Sequence, residues 1–89
     1  MKSELTDQFL ECFARLPDRI KSQARKSYRL WKSKPSHPSV NFKLVGKKSK
    51  TYSVRVAIGW RALGLKDGDT MVWFWIGSHA EYDEILKDV

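Results

Sequence analysis

The 89-residue sequence predicts an α+β fold, in which two N-terminal helices pack on a four-stranded, mainly antiparallel sheet and a short C-terminal helix follows. Three observations support this prediction. Apolar residues recur at helical spacing as far as residue 33, alternate with polar residues from residue 40, and return to a helical pattern at the end of the chain. Helices grouped before a run of strands are typical of α+β folds. So short a chain has room for one hydrophobic core, so residues 1–89 are expected to form a single domain.

The helical region divides at a proline. The first helix is predicted over roughly residues 5–15, with an apolar stripe formed by Leu5, Phe9, Cys12, Phe13 and Leu16. Pro17 ends this helix and suits the first position of the next one. The second helix is predicted from about residue 18 to residue 33, with an apolar stripe formed by Ile20, Ala24, Tyr28 and Trp31. Two prolines within residues 34–38 close it, because the residue before a proline disfavours the helical conformation.

The first two predicted strands enclose a cationic turn. Val40, Phe42 and Leu44 alternate with polar residues up to Gly46, and the turn Lys47–Lys50 follows. The next strand is expected to bury four side chains on one face, those of Tyr52, Val54, Val56 and Ile58. Arg55 interrupts this strand and is expected to point to the opposite face.

The remaining elements are two more strands and the short helix. The third strand spans Trp60–Leu65, and an Asp-Gly turn leads to the fourth, Met71–Ile76. The fourth strand is apolar on both faces and is therefore expected at the centre of the sheet. Trp73 and Trp75 lie two positions apart and are expected to share one face of it. The segment His79–Leu86 is predicted to be helical.

Charge is strongly segregated along the chain. The net charge is +7, and the 48 residues from Arg19 to Lys66 contain fourteen Lys or Arg and no Asp or Glu. From Asp67 onward, six acidic residues stand against Lys87 alone. Such a block gives one face a positive potential that attracts polyanions. Nucleic acid is the leading candidate partner, and an acidic protein is the alternative.

Several classes of protein are disfavoured. The mean hydropathy is -0.51, and no apolar run approaches the roughly 20 residues of a membrane-spanning helix. The N-terminus lacks the apolar stretch of a secretory signal, which predicts a cytoplasmic protein. A single cysteine, Cys12, supports neither an internal disulfide nor a zinc site, and is best explained as a small buried hydrophobe. We expect no metal and no cofactor.

The residues that remain for chemistry suit metal-independent RNA cleavage. In that reaction a 2′-hydroxyl attacks the adjacent phosphate, a base takes its proton, an acid protonates the leaving 5′-oxygen, and cations stabilise the charge that develops. His79, at the end of the central strand, is the sharpest candidate, although a lone histidine is more often structural. His37, in a polar loop, is a weaker candidate. The tryptophans Trp60, Trp73 and Trp75 could stack on bases or simply pack against helices.

The C-terminal segment carries a family resemblance. Residues 76–85 have the sequence Ile-Gly-Ser-His-Ala-Glu-Tyr-Asp-Glu-Ile, which resembles the Gly-Thr-His-Ala-Glu-Tyr-Asp signature that closes HigB-type toxins and the shorter ending of YafQ-type toxins. The His37-Pro38 loop and the hairpin of residues 52–61 follow in the order seen in the RelE/ParE superfamily. The chain is similar to toxins of that superfamily, and the resemblance implies a RelE-like fold.

This resemblance implies an mRNA interferase that works in the ribosomal A site and is neutralised by a cognate antitoxin. His79 would be a catalytic acid or base, and Tyr82 would contribute to catalysis or base stacking. His37 matches the histidine of the His-Pro loop in YafQ-like members, and Arg61 matches a phosphate-contacting arginine. Contacts with mRNA or ribosomal RNA would come from Lys43, Lys47, Lys48, Lys50, Arg55, Trp60, Trp73 and Trp75.

Two departures from the family pattern keep other functions open. Met1–Glu4 stands where the family has an N-terminal strand, which is expected to be missing, and Gly59 replaces an aspartate of YafQ-like members. One alternative function is that of a ParE-like inhibitor of DNA gyrase, which binds without chemistry. Another is a non-catalytic remnant of the fold that binds nucleic acid or protein. Fold alone does not decide among them.

Overall fold

The computed structural model describes residues 1–87 and has the expected α+β architecture. The elements are β1 (Lys2–Leu5), α1 (Asp7–Ala14), α2 (Asp18–Ser33), β2 (Lys43–Gly46), β3 (Thr51–Ala57), β4 (Trp60–Asp67), β5 (Thr70–Ser78) and α3 (His79–Leu86). They form one sheet with the strand order β1-β5-β4-β3-β2. The pairs β5–β4, β4–β3 and β3–β2 are antiparallel, whereas β1 runs parallel to β5. The fold class is confirmed.

The prediction of four strands is wrong, because the N-terminal segment forms a fifth. Lys2 to Leu5 pair with Thr70 to Trp73, and the Lys2 amide donates to the carbonyl of Asp69 at 2.9 Å. Side chains in β1 are mostly exposed, and its sequence lacks the alternation of polar and apolar residues that indicates a strand. The strand exists because β5 offers it an unpaired edge, which is a non-local property.

Local signals set the helix boundaries. The Thr6 hydroxyl accepts from the amide of Phe9 at 3.1 Å and donates to the carbonyl of Trp73 at 3.0 Å, so α1 begins at Asp7 and is pinned to β5. Helix α2 begins directly after Pro17 and ends before the Lys34–Pro38 segment, as predicted. Within the described residues no helix combines the length and the apolar character that crossing a membrane requires.

Helices α1 and α2 cover one side of the sheet, the α1–α2 face, where the main core lies. Ile20, Trp31 and Met71 are at most 1% exposed there. Further core side chains on this face are those of Ala24, Val54, Val56, Ala62, Trp73 and Ile76. The other side, the α3 face, carries a smaller cluster of Leu63, Trp75 and Tyr82 beneath α3. The two faces therefore differ greatly in how much apolar surface they bury.

The prediction that Trp73 and Trp75 share a face is wrong, because β5 contains a bulge. Leu63 pairs with Trp75 and Gly64 pairs with Trp73, so Phe74 is an extra residue on β5. Trp73 packs edge-on against Trp31 on the α1–α2 face, with ring centroids 5.1 Å apart, whereas Trp75 joins the cluster on the α3 face. A side chain at Gly64 would meet the Trp73 ring at 2.7 Å, so glycine allows this close approach.

Two apolar residues expected inside are outside. Ile58 is 85% exposed because β3 ends at Ala57 and Ile58 enters the turn to β4, where Gly59 has φ of +80°. Leu44 is 44% exposed on the edge strand β2. Val40 instead is buried, although it precedes β2. The alternation was therefore a correct indicator of strands and an incomplete indicator of burial near their ends.

Candidate functional site

Two arginines face each other across neighbouring strands of the sheet. Arg55 of β3 pairs directly with Arg61 of β4, and Arg61 pairs in turn with Gly77 of β5. Opposed residues of antiparallel strands point to the same side, and like charges in that position destabilise a sheet. Within residues 1–87, no carboxylate lies within 4.0 Å of either guanidinium. The pair therefore forms a site with unneutralised positive charge that suits an anion.

The same register places the arginine pair on the α3 face. Ser53 and Leu63 are opposed two pairs further along, hence on the same face, and Leu63 is opposed to Trp75. Lys43 of β2 is opposed to Ser53 and is exposed. The α3 face thus carries the apolar cluster beneath α3 and, next to it, a group of cations. The strand register brings Lys43 close to the arginine pair.

Helix α3 starts directly beside the arginine pair, and a capping box holds its first turn. The Glu81 amide donates to the Ser78 hydroxyl at 3.3 Å, and the Ser78 amide donates to the Glu81 carboxylate at 3.4 Å. A side chain at Gly77 would lie 2.6 Å from the Trp75 ring and 3.2 Å from that carboxylate. Glycine at this position therefore leaves the room that the Trp75 ring occupies.

His79 is the first residue of α3 and remains accessible. Its amide donates to the carbonyl of Gly59 at 2.8 Å, which ties it to the turn between β3 and β4. Its side chain is 50% exposed, its Nε2 lies 3.5 Å from a carboxylate oxygen of Asp83, and its ring centroid is 5.4 Å from that of Tyr82. The imidazole is therefore oriented by its own helix and still open to a ligand.

Tyr82 is a buried support rather than an exposed group. It is 5% exposed, and its hydroxyl donates to the hydroxyl of Ser53, itself 1% exposed, at 3.2 Å. The residue anchors α3 on the sheet and supports the His79 ring. The structure thus places Tyr82 next to the predicted acid or base, in a position suited to holding it rather than to stacking on a base.

His37 lies in the loop between α2 and β2. Its Nδ1 accepts from the amide of Ser39 at 3.1 Å, which leaves Nε2 for other contacts. Its loop is joined to β3, since the Arg55 amide donates to the carbonyl of Val40 at 2.7 Å. The loop lies on the β2 side of β3, whereas His79 follows β5, so the two histidines belong to segments on opposite sides of the arginine pair in the sheet.

The structure separates the turn lysines from this site. Lys47, Lys48 and Lys50 lie in the turn between β2 and β3, at the end of β3 away from Arg55. Five residues of strand, at about 3.3 Å each, place Lys50 about 16 Å from Arg55. These three lysines form a second cationic surface at the far end of the sheet.

The tryptophans are mostly interior. Trp73 and Trp75 are 3% and 7% exposed, so both rings pack inside the protein, which is the alternative expected for them. Trp60 is half-buried and packs against the main core from the first position of β4. Of the three, Trp60 alone keeps substantial exposed surface, but it packs on the face opposite the arginine pair.

Sequence reasoning missed the two polar residues that organise α3. Glu81 was detectable, because Ser78 followed three residues later by Glu is the capping-box pattern. Ser53 had no local signal, since its role depends on a hydroxyl 29 positions away in the chain. Within the described residues, no three metal-ligating side chains come together.

Comparisons with known proteins bear on both fold and family. A family model described as the ParE-like toxin domain matches residues 18–84. No curated protein matches the chain. A chain of the RelB–RelE antitoxin–toxin complex from Methanococcus jannaschii superposes with a TM-score of 0.73 at 12% identity, over 92% of this chain and 96% of that chain.

Two further solved structures have the same fold. YafQ from E. coli superposes with a TM-score of 0.71 at 14% identity, over 91% of this chain and 96% of that chain. The isolated RelE toxin from E. coli has a TM-score of 0.66 at 13% identity, over 99% of this chain and 98% of that chain. Because the identities are so low, these likenesses establish the fold of the chain alone.

Proposed function

The chain belongs to the ParE-like toxin domain family and has a RelE-like fold, and on that premise we propose that it is a ribosome-dependent mRNA endoribonuclease of a type II toxin–antitoxin system. The observation that carries the proposal is the opposed pair Arg55 and Arg61 beside the exposed ring of His79. A protein that needed only to fold would gain by placing an acid opposite one of these arginines.

The proposed chemistry follows from the arrangement of these groups. The arginine pair binds the scissile phosphate and stabilises the negative charge that builds as the 2′-hydroxyl attacks. Attack and departure occur on opposite sides of the phosphorus, so an acid and a base are needed on opposite flanks. His79 and His37 belong to segments that flank the pair in the sheet, and histidine is the side chain that most often serves as a general acid or base. Asp83 and Tyr82 hold His79 in place.

The remaining cations extend the proposal to the ribosome. Lys43 lies on the same face as the arginine pair, where it can contact the mRNA backbone. The surface formed by Lys47, Lys48 and Lys50 lies about 16 Å away, beyond the nucleotide that reacts. We assign it to ribosomal RNA, since lysines contact phosphates without regard to sequence.

A protein partner belongs to the same proposal. The M. jannaschii structure with this fold is that of an antitoxin–toxin complex. We infer that this chain likewise binds a cognate antitoxin. Basic surfaces at both ends of β3 would favour an acidic segment in that partner.

The test is in vitro cleavage with purified ribosomes programmed with a defined mRNA, followed by mapping of new 5′ ends. His79→Ala is expected to lower the cleavage rate by about 10² to 10⁴-fold, the usual contribution of a general acid or base. His37→Ala tests the second flank. The matched control is Lys87→Ala, which removes a charge from the end of the same helix and should leave the rate unchanged.

The family name favours one competing function, inhibition of DNA gyrase by binding. Intact mRNA together with a supercoiling defect that persists in the His79→Ala variant would establish gyrase as the target and overturn the ribonuclease. If neither mRNA nor supercoiling is affected by soluble, folded protein, the chain is a non-catalytic remnant.

A further inference from the structure

A second basic site lies beside the C-terminal half of β3. Strand β2 pairs with β3 only as far as Ser53, and beyond that point a groove of about 660 Å³ opens between β3 and α2. Pockets that bind ligands commonly measure about 300–1,000 Å³. We call this site the α2–β3 groove. Arg55, at the edge of the sheet, is among its lining residues, so the groove reaches one member of the arginine pair.

The groove is cationic because one stripe of α2 faces it. Arg19, Gln23, Lys26 and Leu30 line it and recur at intervals of three and four residues, which places them on one side of a helix. Arg19 and Lys26 are exposed, and neither is within 4.0 Å of a carboxylate in the described part of the chain. The lining residues that the structure describes include three cations, with Arg55, and no acid.

The opposite side of α2 is apolar rather than cationic. There an apolar cleft of about 250 Å³ separates α1 from α2, lined by residues such as Phe9, Phe13 and Trp31. Its single cation, Arg25, lies over the Phe13 ring, 5.2 Å from the centroid. Protein interfaces need apolar anchors at their centre. The cleft is lined almost wholly by apolar side chains, whereas the groove mixes apolar side chains with three cations. The groove suits a polyanion that is recognised by charge.

We propose that the α2–β3 groove binds the phosphodiester backbone of single-stranded RNA next to the nucleotide held by Arg55 and Arg61. Arg19 and Lys26 each contact a phosphate. They lie seven positions apart, which is about 10 Å along the axis of α2. Two cations so spaced along a groove match a chain of phosphates better than one small anion. The choice of RNA as the ligand rests on the proposed function.

The test measures binding of an oligouridine whose 2′-oxygens are methylated, so that it cannot be cleaved by 2′-hydroxyl attack. Fluorescence anisotropy gives its affinity as a function of NaCl concentration. Each phosphate contact contributes about 0.7 to the slope of log affinity against log salt for a single strand. The double variant R19Q/K26Q is therefore expected to flatten the slope by about 1.4, twice that value.

The matched control is the double variant K21Q/R29Q. It also removes one lysine and one arginine from α2, but neither residue lines the groove. Glutamine has a helix propensity close to those of lysine and arginine, so both variants should fold equally well. A slope that flattens equally in both variants, or in neither, would mean that α2 attracts RNA only through its overall charge, and the proposal would be overturned.

Two further measurements distinguish this proposal from an acidic protein ligand and from the proposed ribonuclease function. A polyglutamate peptide serves as the probe for an acidic protein, and a larger loss of peptide binding than of RNA binding in R19Q/K26Q would overturn the choice of RNA. Ribosomal cleavage by the wild-type protein tests the proposed function independently. If cleavage is absent and R19Q/K26Q still flattens the slope selectively, the groove is an RNA site on a protein that does not cleave.

Discussion

The two faces of the sheet are covered very differently. On the α1–α2 face two helices enclose Ile20, Trp31 and Met71 almost completely, whereas on the α3 face an eight-residue helix covers Leu63 and Trp75 and leaves the arginine pair open. A chain of 89 residues cannot build two full cores. One face therefore provides most of the stability, and the other can hold like charges that a stabilising surface would avoid.

The largest effect is expected from truncating the α1–α2 face. Trp31→Ala removes a ring that is 1% exposed and in contact with Trp73, so the free energy of unfolding should fall by about 3–5 kcal/mol. Urea denaturation followed by circular dichroism measures it. Leu10→Ala is the control, because that side chain is 48% exposed on α1 and its loss should cost little. A loss below about 1 kcal/mol for Trp31→Ala would place the main core elsewhere.

A smaller effect is expected from the hydroxyl pair beneath α3. Tyr82→Phe removes the donor to the Ser53 hydroxyl, in a site where both residues are buried, so the free energy of unfolding should fall by about 1 kcal/mol or more. Tyr28→Phe makes the same change on the other face, where the Tyr28 hydroxyl bonds to the Ser3 hydroxyl at 2.7 Å in a partly exposed site. Water can replace that bond, so its loss should be smaller. Equal losses in the two variants would contradict the difference in burial that we describe.

The smallest expected change is an increase in stability rather than a loss. Arg61→Gln relieves the repulsion across the opposed pair and should raise the free energy of unfolding by roughly 0.2–1 kcal/mol. The same change should lower ribosomal cleavage by about 10² to 10³-fold, the usual effect of losing one group that stabilises a developing anion. Lys66→Gln, on the same strand but away from the pair, should change neither quantity. Lower stability in Arg61→Gln would show that the opposed arginines are compatible with the fold without a ligand.

Local chemistry made much of the fold predictable. Pro17 and the prolines after residue 33 bound α2 as expected, and the Asp-Gly turn separates β4 from β5 as expected. The strand β1 escaped prediction because its residues carry no alternation and it forms only against β5. The family resemblance in residues 76–85 also held, since the ParE-like toxin domain model matches residues 18–84.

The candidate site was predictable residue by residue but not as an arrangement. Arg55, Arg61 and His79 were all singled out, yet their proximity depends on the register of three strands. The bulge at Phe74 inverts the expected relation of Trp73 to Trp75, because one inserted residue moves every later side chain to the other face. The separation of Lys47–Lys50 from the arginine pair likewise depends on which end of β3 each occupies.

The sequence by itself determined the α+β class, the bounds of α2, the segregation of charge and the residue types available for chemistry. These depend on short-range periodicity, on proline and on composition, which act within a few residues. The tertiary structure decided the fifth strand, the faces on which the tryptophans lie, the opposition of two arginines and the groove shared by α2 and β3. Each of those depends on pairing and packing between segments distant in the chain, which no local pattern specifies.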